Sequence, residues 1–72
     1  MSASEFAQIH AGMSYEQVAS IVGGPGTVLS ENDIAGFHTV MYQWDGEGSL
    51  GANANVMFQN GAEINKAQFG LE

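Results

Sequence analysis

Cysteine and arginine are both absent from the 72 residues, and Lys66 is the only basic side chain apart from two histidines. Without thiols the chain has no disulfide framework, no thiolate zinc site and no thiol nucleophile, although the redox compartment stays open. One lysine against eight Asp and Glu leaves a net charge of −7. Such a chain repels phosphate, which argues against nucleic acid and against an anionic membrane surface as partners. No apolar run approaches the roughly 20 residues of a membrane span, and the first residues lack the basic and apolar regions of a signal peptide. Either the chain is cytoplasmic, or it is a mature domain from which an export segment has been removed. Charged residues make up only 12% of the chain and hydrophobic residues 44%, so a small core is expected rather than a self-repelling disordered polymer. At this length one domain is expected over residues 1–72. It would bury about 60% of its unfolded surface and have a narrow stability margin.

Ten glycines and one proline punctuate what remains. Ser2 with Glu5 predicts a capping box, and Phe6, Ile9 and His10 then share one face of a helix over about 4–11 that ends near Ala11-Gly12. Ser14 with Gln17 is a second capping box, and Met13 with Val18 a matching hydrophobic staple. Val18, Ile21 and Val22 form the apolar stripe of a helix over 14–22, which Gly23-Gly24-Pro25-Gly26 terminates. From Thr27 the period changes to two. Strands are expected at about 27–30, 38–44, 53–59 and 63–69. Glu31-Asn32-Asp33 with Gly36 reads as a polar turn or wide loop, and residues 45–51 as a glycine-rich connection. Asn60-Gly61 is the preferred pair for a type I′ hairpin. The expected architecture is α+β: two short N-terminal helices packed on one face of a four-stranded antiparallel sheet, the other face open.

Strand phase decides which residues look outward. Val40, Tyr42 and Trp44 with Ala54, Val56 and Phe58 are the bulkier apolar set and are assigned to the core. Thr39, Met41, Gln43, Asn53, Asn55, Met57, Ala67 and Phe69 then form an outward face without charge. A patch of Met, Phe and amide side chains has the composition of a protein-binding surface. A homodimer that stacks two such faces would satisfy it equally well, as would a helix or loop folded over it.

Residues with chemical potential elsewhere have simpler explanations. His10 and His38 lack the further ligands that a metal site needs, so neither metal nor cofactor is expected. Asp45 and Glu47 sit among glycines and offer too few oxygens for calcium and no pocket for acid–base chemistry. Ser14 is a cap, and Ser20 and Ser30 have no neighbouring base. Gly23 to Gly26 follow a helix, the wrong context for a phosphate cradle. No nucleophile–base pair is visible, and no enzymatic activity is expected.

Phe6-Ala7-Gln8-Ile9, Gly12-Met13-Ser14, Gln17-Val18 and Val22-Gly23 resemble the opening of one repeat of the β-lactamase inhibitory protein family. Tyr42-Gln43-Trp44-Asp45-Gly46, Met57-Phe58, Gly61, Lys66 and Gln68-Phe69-Gly70-Leu71 resemble the tail of the same repeat. The likeness covers nearly the whole chain. It extends to single-repeat domains of secreted or lipid-anchored bacterial envelope proteins, and more widely to the small outer-membrane-assembly lipoproteins. The resemblance implies an extracellular or cell-envelope location and a non-enzymatic domain that binds a protein partner, a β-lactamase or an envelope protein, through the open sheet face. Asn55, Met57, Ala67 and Phe69 match sheet contact positions of the family. The family also inserts an acidic residue from a loop tip. Here Gly51 and Ala52 stand near that position, and Asp45 and Glu47 lie earlier in the loop. The expected partner-binding residues are therefore Met41, Gln43, Asn53, Asn55, Met57, Ala67 and Phe69, with Asp45, Glu47 and Leu50 from the connection. The alternative is a structural or homodimerisation domain of an envelope lipoprotein without inhibitory activity.

Overall fold

Two serines start the two helices. The computed structural model describes residues 1–72, apart from the side chain of Ser49. Ser2 Oγ accepts from the Glu5 amide at 3.1 Å and Glu5 Oε1 accepts from the Ser2 amide at 2.8 Å, which sets the start of α1, Ala3–Gln8. Ser14 and Gln17 repeat this at 3.1 and 2.8 Å before α2, Tyr15–Val22. Gly23 stops α2 in the left-handed conformation, φ 93°, as the glycine signal predicts.

α1 is shorter than its pattern predicts. Ile9 leaves the helix in an extended conformation and is 1% exposed, while His10, expected on the same face, is exposed. A helix of six residues is marginal by itself, so burying one isoleucine outweighs another turn. The connector then pairs with the sheet: Gly12 N–H donates to the Glu63 carbonyl at 3.0 Å, and Glu63 N–H to the Met13 carbonyl at 2.8 Å.

Four antiparallel strands follow in the order of the chain: β1 Thr27–Ile34, β2 Phe37–Asp45, β3 Gly48–Gln59 and β4 Ala62–Leu71. The polar turn expected at Glu31-Asn32-Asp33 is instead strand, paired with Val40, Thr39 and His38. The reversal is made by Ala35 and Gly36, both at positive φ (52° and 83°), a two-residue hairpin whose first position carries Ala rather than the usual Asn. Glu31 and Asp33 flank His38 across the ladder, at 2.9 Å to Nε2 and 3.6 Å to Nδ1. At the next reversal, Asn60 and Gly61 take the expected positive φ angles, and Asn60 Oδ1 accepts from the His38 amide at 2.9 Å. The connection expected over 45–51 shrinks to Gly46 and Glu47. From Gly48 the chain is already β3, which leaves the regular β4 ladder between Gly48 and Asn53. Backbone bonds from Glu47 to Met1 at 2.9 Å, from Glu72 to Glu47 at 2.8 Å and from Ala3 to Glu72 at 3.1 Å tie this turn to both chain ends.

Register places Val40, Trp44, Ala54, Val56 and Phe58 in the buried set. All but Val40 belong to one cluster with Met1, Ile9 and Val18; Phe6, Met13, Tyr15, Val22, Tyr42 and Leu71 pack against it partly buried. The Tyr15 ring of α2 lies 4.3 Å from Tyr42, 6.0 Å from Trp44 and, edge-on, 5.9 Å from Phe58. The glycine run does more than stop a helix. Trp44 Nε1 donates to the Gly24 carbonyl at 3.0 Å, and the Gly26 amide donates to the Tyr15 hydroxyl at 3.1 Å. A Cβ on Gly26 would sit 2.9 Å from the indole ring, so only glycine allows the backbone to lie flat on Trp44.

Two outcomes follow. Gly26→Ala should destabilise by about 1–3 kcal/mol through overpacking. Gly24→Ala, with nothing within 4 Å of its Cβ position, should stay within about 0.5 kcal/mol; urea denaturation followed by Trp44 fluorescence compares them. Burial first, then Tyr15, Glu31 and Glu16, raise the Tyr42 pKa above 10.0. A raised folded-state pKa favours the protonated phenol. Its contribution is therefore complete below pH 10 and lost as the pH climbs through the folded-state value. Stability measured from pH 9 upward should fall less steeply in Tyr42→Phe than in the unaltered protein.

Candidate functional site

Where Trp44 points one way along β2, its neighbours point the other, because side chains alternate along a strand. The pairing carries this second set across the sheet in rows. Met41 faces Met57, and Met57 faces Asn65; Gln43 faces Asn55, and Asn55 faces Ala67; Asp45 faces Asn53, and Asn53 faces Phe69. Seven of the expected residues (Met41, Gln43, Asn53, Asn55, Met57, Ala67 and Phe69) thus form one contiguous ladder. Ala67 and Phe69 are exposed, Phe69 at 63%. Met41, Gln43, Asn53, Asn55 and Met57 are half-buried rather than free, since long side chains on adjacent strands cover one another. Between the methionine row and the next lies an open depression of about 80 Å³, lined by Met41, Asn55, Met57, Asn65, Lys66 and Ala67.

The three remaining expected residues lie at the end of this ladder or beyond it. Asp45 closes the last row as an exposed carboxylate. The peptide groups of Glu47 bond to Met1 and Glu72, and its side chain is exposed. Leu50 stands wholly in solvent at the start of β3. None of the three lines the depression.

Ile34 and Phe37 escaped the sequence reading. They pair across the tip of the first hairpin, 68% and 52% exposed, and Phe37 shares the phase of Met41 along a regular β2. The open face therefore continues to that tip. Every residue of β1 is exposed as well. The missed signal was the two-residue spacing Ile34-Ala35-Gly36-Phe37, an apolar pair bracketing a glycine turn.

Charge around the face is one-sided. The only lysine does not face solvent as a free cation: Lys66 Nζ donates to the carbonyls of Phe6 and Ile9, each at 2.8 Å, and lies 4.4 Å from the centre of the Phe6 ring. It adds a second donor to the Phe6 carbonyl, which already accepts from the Ile9 amide at 3.2 Å, and engages the Ile9 carbonyl just past the helix end. His10 is exposed, with Nδ1 3.3 Å from the Ala11 carbonyl, and His38 is flanked by two carboxylates. Among the described residues no three His, Cys, Asp or Glu converge as metal ligands, and no helix is long and apolar enough to cross a membrane. What the face carries is apolar contact area with amide donors and acceptors.

The family model described as "Beta-lactamase inhibitor (BLIP)" matches residues 2–72, and the chain belongs to this family. No curated protein matches it.

Because Phe69 projects from an edge strand, Phe69→Asp should leave the thermal transition within a few degrees of the unaltered protein. Phe58→Asp, at a position 3% exposed, should abolish cooperative unfolding by burying an unpaired charge. Circular dichroism melts distinguish the two.

Proposed function

We propose that this member of the β-lactamase inhibitor family is a non-enzymatic protein-binding domain of a secreted or cell-envelope protein, and that class A β-lactamases are its first candidate partners. The observation that carries this reading is the composition of one face. On a chain of net charge −7, the rows from Met41 to Phe69 hold thioether, phenyl, methyl and amide groups, with carboxylate only at Asp45. Burial of this face by a partner would desolvate no ion pair, and the thioethers can adapt to the shape they meet. In this reading the two helical segments cover the Trp44 side of the sheet, which leaves the Met57 side to the partner. Asp45, Glu47 and Leu50 supply the rim, and Phe69 is the best-exposed aromatic anchor. Family membership supports an inhibitor-like role and an extracytoplasmic setting.

A structural or dimerisation role without inhibition is the second reading. It is favoured by the exposed Ile34, Phe37 and Phe69, more apolar surface than so small a core can cover.

Titration of class A β-lactamases with the domain, by inhibition kinetics and calorimetry, tests the first reading. Saturable binding to at least one enzyme is expected, weakened at least tenfold in Met57→Lys/Phe69→Asp. Binding that the double variant retains in full would remove the sheet face from the interface. A sedimentation mass near twice 7.6 kDa, lost in the same variant, with no enzyme bound, would establish the second reading instead.

A further inference from the structure

We infer that the depression on the open face receives an arginine side chain of the docking partner, with Asn55 Oδ1 as its hydrogen-bond acceptor. The inference rests on the docking role proposed above and names the chemistry that the face selects. Asn55 Oδ1 is shielded from solvent and has no hydrogen-bond partner among the described residues. Buried acceptors are paired as a rule, and an unpaired one is a standing penalty that a suitable donor relieves. Around Asn55 the lining residues are Met41 and Met57 with their thioethers, Ala67, and Asn65 and Lys66 on β4. The Asn65 Oδ1 already accepts from the Lys66 amide at 3.0 Å.

The missing partner is thus a donor with an apolar surround, and charge decides its type. Lys66, which also lines the depression, has its ammonium engaged by the carbonyls of Phe6 and Ile9. No free cation therefore repels an incoming one, and the net charge of −7 attracts it. A carboxylate would meet no free cation there and would be repelled by the net charge of −7. Guanidinium suits the site better than ammonium: it is planar, weakly hydrated and able to lie against methionine while one N–H points at an oxygen. At about 80 Å³ the depression has room for more than a single water, which needs only about 10–15 Å³ on the same measure. Methionine side chains are flexible enough to uncover Oδ1 as the ligand enters.

The test uses blocked peptides and needs no enzyme. Acetyl-Gly-Arg-Gly-amide is titrated into the labelled domain by NMR, beside the same peptide with norleucine or glutamate in place of arginine. The arginine peptide should shift the Met41 and Met57 methyls and the Asn55 side-chain amide saturably, and the other two should not. Asn55→Leu should weaken that binding about tenfold or more while raising the unfolding midpoint, because the unpaired acceptor is gone. Asn55→Asp keeps an acceptor and should bind more tightly. Equal shifts from the norleucine peptide, or binding unchanged in a folded Asn55→Leu, would overturn the inference. The two proposals fail separately. A β-lactamase bound equally well by Asn55→Leu removes only the arginine receptor. An arginine peptide bound by a domain that no lactamase recognises removes only the lactamase reading.

Discussion

The grip on Trp44 is the interaction on which the remaining geometry depends. Its indole lies in the Ala54–Val56–Phe58 row, is hydrogen-bonded by Gly24, roofed by Gly26 and neighboured by the Tyr15 ring. These contacts join three parts of the chain: the end of α2, the start of α2 and the middle of the sheet. They also determine strand phase. With Trp44 turned toward Tyr15 and Gly26, alternation turns Gln43 and Asp45 the other way, and the ladder carries that choice to Asn55, Asn53 and Phe69. A slip of one residue would exchange the rows. The aromatic set would then lose its roof, and half-buried methionines would replace it. The cluster of large rings on one side makes that exchange costly.

Charge follows from the same economy of residues. A chain with a single lysine uses it to complete a helix of six residues. Lys66 reaches from β4 to the Phe6 and Ile9 carbonyls and stacks on Phe6. It thereby fastens α1 to the edge of the sheet, while Gly12, Met13 and Glu63 fasten the connector to the same strand. The surface is left almost purely acidic.

Local chemistry made much of this legible in the sequence. Both capping boxes, the Gly23 stop and the Asn60-Gly61 turn were visible because each is determined by side chains within a few residues of one another. The inner and outer rows were visible because alternation holds from Val40 to Trp44 in β2 and from Ala54 to Phe58 in β3. What stayed hidden depends on distant partners. Ile9 leaves α1 because a cluster assembled from β2 and β3 buries it. Glu31 and Asp33 look like turn residues, yet they pair across from His38, and Ala35 takes a left-handed conformation that its identity does not announce. Ile34 and Phe37 were overlooked as part of the open face because the Ala35-Gly36 reversal between them reads in sequence as part of a wide loop. The reach of Lys66 spans nearly the whole chain, from β4 to α1, and no short window contains it.

In the proposed docking, the acidic surface and the neutral sheet face would do different work. A net charge of −7 speeds encounter with any basic surface, but long-range fields discriminate poorly between partners and fade with salt. Discrimination has to come from groups that are desolvated at contact, where a mismatched donor or acceptor is penalised and a matched one is not. In the proposed docking those groups would be the amides of Gln43, Asn53 and Asn55 set among thioethers, held in register by the ladder. Asn55 is the clearest of them, since its carbonyl oxygen is already out of water before any partner arrives. A partner that supplies a donor there restores a hydrogen bond without first stripping water from the acceptor. A partner that sets a carbonyl or carboxylate oxygen against Asn55 Oδ1 leaves that acceptor unpaired. Selectivity would then reside in the neutral centre of the sheet, and the surrounding carboxylates would govern how quickly a partner reaches it.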